Sequence, residues 1–238
     1  MLVSEWLPFH GWMGFPKVDA RNGRLNAFTL AFNFTDDASE KWSSRFLRLQ
    51  MGEGYAYVAA RVLMLQAFPL LFERLNVDRE DSAIAPALRS NETQVSKENY
   101  ISKIARACAN SVKSRYAGDL LKKNIHKPLR EIVGTSNVIA ELNKANYRSD
   151  RIESKNVFVF DDFIDRGETL SHIGQAILKS NPNATIWGIA FGKCLKHSWN
   201  PELNNNHVSK KWDDIWEQGE QLARTLEKKD LHEPPGSE

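Results

Sequence analysis

Cysteines, which mark disulfide-rich proteins, and long apolar runs, which mark membrane proteins, are scarce in this chain of 238 residues. The two cysteines, Cys108 and Cys194, are too few for a disulfide framework and lie in no C-x-x-C motif, which favours a reducing, cytosolic compartment. We identify no apolar run that approaches the length of a membrane span, and the N-terminus lacks the basic-then-apolar layout of a signal peptide. We therefore expect a soluble, cytoplasmic protein.

The chain also has no large excess of charge of one sign, and it lacks the common catalytic signatures. The 32 lysines and arginines nearly balance 30 aspartates and glutamates, which leaves a formal net charge of +2. Global charge therefore does not direct the chain to nucleic acid or membrane, and any basic binding site must be local. The chain contains neither a G-x-S-x-G nucleophile elbow nor a G-x-x-x-x-G-K phosphate loop, which argues against the common hydrolases and NTPases.

The apolar residues, 42% of the chain, are sufficient to bury one sizeable core. The first 40 residues are rich in aromatics, and an R-N-G-R turn at 21–24 precedes the alternating stretch 25–34, which predicts a β-hairpin. Over 38–75 the apolar spacing becomes helical and predicts two helices. The expected breaks in this helical region are Gly52, Gly54 and Pro69.

Alternation of strands and helices predicts the fold class. The apolar stretch 82–88 is expected to be a short buried strand ended by Pro86, followed by a helix that opens at Ser96. The run 156–160 lacks alternation, as parallel strands buried on both faces do, and a helix and a further strand at 184–192 follow it. We therefore expect an α/β fold with a doubly wound, mostly parallel sheet.

The chain changes character beyond Cys194. An Asn-rich polar loop precedes a last helix from about Ser209, whose apolar stripe must dock either on the domain itself, which we favour, or on a partner protein. The tail 233–238 is expected to fray. The expected organisation is an N-terminal hairpin extension over 1–40, a main domain over 41–195, and a loop, helix and tail over 196–238.

Two adjacent acids, Asp161 and Asp162, stand at the end of the strand predicted at 156–160. The loop 165–169 follows and leads into a helix, where outward backbone N–H groups suit a phosphate monoester. The acids repel phosphate, but their oxygens suit sugar hydroxyls or hydrated magnesium. Together these features describe a phosphorylated sugar as ligand. The alternative is a pair of solvated acids that cap the turn.

The stretch VFVFDDFIDRGETL, residues 157–170, resembles the signature with which type I phosphoribosyltransferases bind 5-phosphoribosyl-1-pyrophosphate (PRPP). The resemblance implies that Asp161 and Asp162 hold the ribose 2′- and 3′-hydroxyls and Mg²⁺. It also implies that Asp165 meets the base, as in purine-specific members, with a catalytic role as proton acceptor. Phe163 departs from the smaller aliphatic residue usual at its position. The residues implied to wrap the 5-phosphate are Asp165, Arg166, Gly167, Glu168 and Thr169.

Weaker similarity extends over most of the central part of the chain. Segments 45–63, 84–90 and 126–150 resemble, in order and spacing, ComF-like phosphoribosyltransferase-domain proteins, which are linked to DNA uptake in bacteria. The cysteine-rich zinc module that usually begins such proteins has no counterpart here, and the aromatic N-terminal segment stands in its place. The resemblance implies a pyrophosphate contact in the loop after the predicted strand 82–88. Its candidates are Ala87, Leu88 and Arg89.

Basic residues concentrate between Lys113 and Arg130, against the single acid Asp119 in the same segment up to Arg130. In type I members a mobile loop covers the site and its cation neutralises the leaving pyrophosphate, so the resemblance implies such a role here. The alternatives are a solvated helix face or a nucleic-acid-binding segment with steep salt dependence. The candidates are Lys122 and Lys123, as catalytic residues, and Lys127 and Arg130, as ligands of pyrophosphate.

The function implied by the resemblance is that of an enzyme that binds Mg–PRPP and displaces pyrophosphate with a nitrogen nucleophile, expected to be a nucleobase. The alternative is a non-catalytic PRPP- or nucleotide-binding protein, regulatory or adaptor, of a bacterial DNA-uptake or defence system, since fold alone does not imply turnover. In that case the last helix or the N-terminal hairpin would dock a protein partner. No membrane partner is expected.

Overall fold

The computed structural model describes residues 7–9, 11–15 and 25–230, and all statements below concern these residues. They form a mixed α/β fold around one large sheet. The strands are β1 (Leu7–Phe9), β2 (Trp12–Phe15), β3 (Leu25–Phe34), β4 (Ser82–Pro86), β5 (Arg115–Tyr116), β6 (Leu121–Lys122), β7 (Arg148–Ser149), β8 (Asn156–Phe160), β9 (Phe163–Ile164) and β10 (Thr185–Leu195). The helices are α1 (Lys41–Gln50), α2 (Gly54–Leu75), α3 (Tyr100–Val112), α4 (Thr135–Ala145), α5 (Glu168–Ser180) and α6 (Lys210–Asp230).

The main sheet has the strand order β1-β2-β3-β10-β8-β4-β5. All pairings from β3 to β5 are parallel, whereas β1, β2 and β3 pair in antiparallel fashion. The prediction of a mostly parallel sheet is therefore confirmed. Strand β9 pairs with the end of β10, and β6 and β7 form a separate antiparallel pair.

The N-terminal aromatic segment contributes directly to this sheet. Strands β2 and β3 are antiparallel, as a hairpin requires, but the predicted R-N-G-R turn lies outside the described residues. The other edge of β3 pairs with β10 from Leu25–Ile186 to Phe34–Leu195. The boundary predicted at residue 40 therefore falls between two elements, β3 and α1, that share one core with the rest of the chain.

Helices cover both faces of the sheet because its central strands are apolar on both sides. Phe158 and Phe160 of β8 face α2, and the Phe68 ring centroid lies 5.5 Å from that of Phe158 and 5.0 Å from that of Phe160. Burying each such ring contributes about 1.5–3 kcal/mol. On the opposite face Val157, Val159 and their neighbours pack with apolar residues of α5. The core residues that α5 contributes are Leu170, Ile173 and Ile177.

The last helix docks within the chain, as predicted. Trp212, Ile215 and Trp216 of α6 belong to the same buried cluster as α1 and α2. At Gly219 a Cβ would lie 2.5 Å from the Cα of Ala59, so glycine permits the close approach of α6 to α2. The predicted frayed tail, 233–238, lies outside the described residues.

Two predictions about helix limits are wrong. Pro69 does not break a helix but lies inside α2, whose burial under α6 and against the sheet outweighs the lost backbone hydrogen bond. Helix α3 begins at Tyr100 rather than at Ser96, because the side chain of Asn99 accepts the N–H groups of Ile101 and Ser102 and caps the helix there.

The expectation that no apolar stretch reaches the length of a membrane span is wrong for α2. This helix is long and apolar enough, by length and composition, to cross a membrane. Half of its most apolar window is buried inside the protein, and Ala59, Leu63 and Phe68 are among its fully buried residues. In this fold α2 is a core helix, and its apolar character is explained by that position.

Candidate functional site

The acid pair and the predicted pyrophosphate loop lie side by side at the carboxyl edge of the sheet. Strands β4 and β8 are parallel neighbours that end in register at Pro86 and Phe160. Directly beyond them the Ala87 N–H donates to the Phe160 carbonyl at 2.7 Å, and the Asp161 N–H donates to the Ile189 carbonyl at 2.8 Å. Loops that leave neighbouring strands at this edge form the usual ligand site of open α/β sheets.

Hydrogen bonds from neighbouring backbone N–H groups orient the two carboxylates. Asp161 Oδ1 accepts the Asp162 N–H at 2.9 Å, and Asp162 Oδ1 accepts the Phe163 N–H at 2.8 Å. Burial, followed by the neighbouring charge of Asp162, raises the pKa of Asp161 well above its usual value. Neutralising this carboxylate, by a proton or by a bound cation, is therefore favourable.

Tyr100 is a residue of this site that the sequence analysis missed. Its hydroxyl donates to Asp162 Oδ2 at 3.0 Å, and the Arg89 guanidinium lies 5.0 Å from its ring centroid. Burial and the charge of Asp162 raise the pKa of Tyr100, so it stays a protonated donor. Tyr100 thereby connects the acid pair with Arg89 of the predicted pyrophosphate loop. The side chains of Ala87 and Leu88 are buried, so within that loop these two residues can present only backbone groups to a ligand.

The predicted phosphate loop opens helix α5. Gly167, with φ of 89°, occupies the cap position in the left-handed region, where glycine is unstrained. Since glycine has no side chain to cap the helix, the first-turn N–H groups at Glu168 and Thr169 remain available to an anion. Asp165 is exposed at the start of the loop, and Arg166 donates through Nη1 to Thr135 Oγ1 at the beginning of α4.

A buried lysine that the sequence analysis missed donates a hydrogen bond to the backbone of the phosphate loop. Lys193 of β10 is 2% exposed, and its Nζ donates to the carbonyl of Asp165 and, at 3.2 Å, to that of Cys194. Burial lowers the pKa of Lys193, and the nearby Asp165 opposes this shift. Lys193 lies within a mostly apolar strand. It reaches the loop because β9, which directly precedes the loop, pairs with β10 at Lys193.

The predicted catalytic lysines have different surroundings. Lys123 is 1% exposed, and its Nζ donates to the Ser90 carbonyl at 3.0 Å, in the loop that follows β4. Burial lowers its pKa to about 8. Lys122 is exposed, and its Nζ pairs with Asp150 at 2.7 Å, so the structure does not bring it to the acid pair. Lys123 is thus placed to hold a loop of the site, and Lys122 is not.

The two predicted pyrophosphate ligands of the basic segment are exposed. The Lys127 N–H donates to Glu141 Oε1 at 2.9 Å, and Arg130 lies in a short 3-10 turn. Within the described ranges, no carboxylate lies within 4.0 Å of either cationic group. The His126 N–H anchors the segment to the Ser90 carbonyl at 3.0 Å. Both cations are therefore available to a ligand at the end of this anchored loop.

Two buried polar atoms near this loop have no hydrogen-bond partner in the described part of the chain. They are the Tyr147 hydroxyl and His126 Nε2. Burial and the charge of Asp161 raise the pKa of Tyr147, and Lys123 Nζ lies 6.0 Å from its ring centroid. Tyr147 thus lies in the electrostatic reach of both the acid pair and the buried lysine.

The acid pair alone supplies too few ligands to hold a magnesium ion. Mg²⁺ requires six oxygen ligands and commonly binds proteins through one or two carboxylates, with waters and substrate phosphates completing the shell. Across the described ranges no group of three or more His, Cys, Asp or Glu residues could hold a metal ion. Asp161 and Asp162 could therefore hold Mg²⁺ only together with oxygens from water or substrate.

Comparisons with known proteins do not assign the chain to a family. No family model matches it, and no curated protein is significantly similar to it.

Proposed function

We propose that this protein binds Mg–PRPP and transfers its phosphoribosyl group to a nitrogen nucleophile, a nucleobase, with release of pyrophosphate. The observation that supports this most strongly is the convergence of three features at one sheet edge. Asp161 and Asp162 follow β8, the loop from Ala87 to Arg89 follows β4 beside them, and the Gly167 cap opens helix α5. Hydroxyl acceptors, cations and an anion-binding helix start are the groups that this substrate requires.

Binding and orientation fall to the acid pair and the α5 loop. Asp161 and Asp162 accept hydrogen bonds from the ribose hydroxyls. The backbone N–H groups that donate to the two carboxylates hold them in place for this. The first-turn N–H groups of α5 hold the 5-phosphate, while Lys193 fixes the loop through the Asp165 carbonyl. Prior orientation of the reacting groups removes much of the entropic barrier of a two-substrate reaction.

In the chemical step the bond between ribose C1 and the pyrophosphate oxygen breaks, and a bond from the base nitrogen to C1 forms. Arg89, Lys127 and Arg130 stabilise the charge that develops on the leaving pyrophosphate. Magnesium, when bound with the substrate, supplies further charge stabilisation. The exposed carboxylate of Asp165 accepts the proton that the nitrogen loses.

A second candidate function is ligand binding without turnover. It is favoured by the positions of the two predicted catalytic lysines, because Lys122 pairs with Asp150 and Lys123 is buried against the Ser90 carbonyl. A protein that senses PRPP needs the acid pair and the phosphate loop, but not these cations on a mobile loop. Substrate-dependent pyrophosphate release separates the two functions.

The test is calorimetric titration of the protein with PRPP, with and without Mg²⁺. The variant Asp161→Asn/Asp162→Asn is compared with Asp214→Asn, an exposed acid of α6 with no ion pair among the described residues. We expect magnesium-dependent binding that the double variant loses by at least about 100-fold, since charge-assisted hydrogen bonds contribute about 1.5–3 kcal/mol each. Equal PRPP affinity in a folded double variant would contradict the proposal. Screening bases for pyrophosphate release then decides between transfer and sensing.

A further inference from the structure

An open groove of about 450 Å³ lies between α2 and α3, and none of its lining residues is a predicted ligand of PRPP. Its volume is in the range of small-molecule sites. Four of its six lining residues carry a positive charge and none carries a negative one. This cationic groove is lined by Tyr57 and Arg61 of α2, Lys97 of the turn before α3, and Ser102, Lys103 and Arg106 of α3.

The positive charges of the cationic groove are largely not neutralised by the protein. Arg61, Lys97 and Arg106 are exposed, and no carboxylate of the described residues lies within 4.0 Å of their cationic groups. Lys103 pairs with Glu98 at 3.2 Å, but both side chains are exposed, and such pairs exchange readily with other ions. Four like charges around one concave space repel each other unless an anion joins them.

Arg106 packs against an aromatic ring that has contacts of its own. Its guanidinium lies 4.5 Å from the ring centroid of Tyr116, whose hydroxyl is 2.8 Å from Ser102 Oγ. A Cβ at Gly118 would lie 2.7 Å from the same ring, so glycine makes room for it. A side chain that is ordered before the ligand arrives lowers the entropic cost of binding.

We propose that the cationic groove binds a linear polyphosphate group, carried either by inorganic polyphosphate or by a nucleoside triphosphate. Arg61 and Arg106 present planar forks that suit pairs of phosphate oxygens, and Lys97 and Lys103 add point charges. Tyr57 also lines the groove, and a tyrosine carries both a hydroxyl and an aromatic ring. A nucleic-acid backbone would need a basic track several nucleotides long, whereas these cations converge on one space.

The test is calorimetric titration with sodium tripolyphosphate and, separately, with ATP, both in EDTA and without PRPP. The groove variant Arg61→Gln/Arg106→Gln is compared with Arg74→Gln/Lys179→Gln, which removes the same charge from the far end of α2 and from α5. Thermal melts verify that each variant is folded. We expect roughly a tenfold loss of affinity for each groove arginine removed, and wild-type affinity in the control.

The acid-pair variant Asp161→Asn/Asp162→Asn separates this site from the proposed PRPP site, because it should bind tripolyphosphate as the wild type does. Similar affinities for both probes would identify the phosphate chain as the ligand, and tighter binding of ATP would identify a nucleotide. The proposal is overturned if tripolyphosphate does not bind at millimolar concentration or if the groove variant binds as well as its control. It is also overturned if the acid-pair variant loses binding, or if a single-stranded oligonucleotide, titrated in the same way, is the only probe that binds in a groove-dependent manner.

Discussion

The site at the carboxyl edge and the cationic groove use charge in two different ways. At the carboxyl edge, Lys123 and Lys193 are withdrawn from solvent, and burial lowers their pKa values. In the groove, Arg61 and Arg106 are exposed. Buried charges hold loops in one geometry because leaving them unpaired is costly, whereas exposed charges are free to meet a ligand. The comparison separates positioning charges from binding charges within one molecule.

The largest effect on ligand binding, outside the acid pair itself, is expected from Lys193→Met. Methionine fills a similar volume but leaves the Asp165 carbonyl without its buried donor, so the phosphate loop loses its support. We expect PRPP affinity to fall about 10- to 100-fold, while the melting temperature at neutral pH changes little because a buried charge is removed together with its bond. Calorimetry and thermal melts measure the two quantities. A wild-type affinity would show that Lys193 does not position the loop.

A pH-dependent effect is expected from Lys123. Burial lowers its folded-state pKa to about 8, below the unfolded value of 10.5, so the unfolded chain binds more protons between these pH values. Lys123 therefore makes the free energy of unfolding rise with pH from about 8 to 10.5, by about 1–3 kcal/mol. Urea titrations of the wild type and of Lys123→Met across this range measure the effect. An equal rise in the variant would show that another group causes it.

A smaller stabilising effect is expected from Asp161→Asn. Burial and the charge of Asp162 raise the folded-state pKa of Asp161 above the unfolded value of 3.8, so the free energy of unfolding falls as the pH rises from 3.8 to that raised pKa. Asparagine removes this penalty, and a gain of about 1 kcal/mol would raise the melting temperature of a domain of this size by about 2–4 °C. The gain should vanish below the unfolded pKa of 3.8. Melts from pH 3.5 to 8 test this, and a lowered melting temperature at neutral pH would contradict it.

The smallest effect is expected in the cationic groove from Ser102→Ala. This change removes the hydroxyl that lies 2.8 Å from the Tyr116 hydroxyl, but it leaves all four cations in place. We expect tripolyphosphate affinity to fall about two- to fivefold, because only the ordering of Arg106 is weakened. Calorimetry measures this change. A loss as large as that of the arginine double variant would mean that Ser102 contacts the ligand itself.

The strand-to-helix unit around the acid pair could be predicted from the sequence because its signals are local. The apolar run 156–160, the two acids and the glycine loop follow each other within a few residues, and the structure places them as β8, Asp161, Asp162 and the start of α5. The parallel sheet could be predicted for the same reason, since strands and helices alternate.

The residues that sequence analysis missed are those whose roles depend on distant contacts. Lys193 and Tyr100 lie in an apolar strand and at a helix start, and only sheet pairing and loop packing bring them to Asp165 and Asp162. The extent of α2 was missed in a similar way, because burial outweighs the break expected at Pro69. The start of α3 was missed for a local reason, since Asn99 rather than Ser96 caps the helix. Periodicity cannot report contacts between segments.

The most direct test of the central claim is a crystal structure of the protein with Mg²⁺ and PRPP. We predict the ribose 2′- and 3′-hydroxyls within about 2.6–3.2 Å of the Asp161 and Asp162 carboxylates, and the 5-phosphate at the first turn of α5. PRPP bound instead in the cationic groove between α2 and α3, with the hydrogen bonds of the acid pair unchanged, would contradict the assignment of the PRPP site to the carboxyl edge.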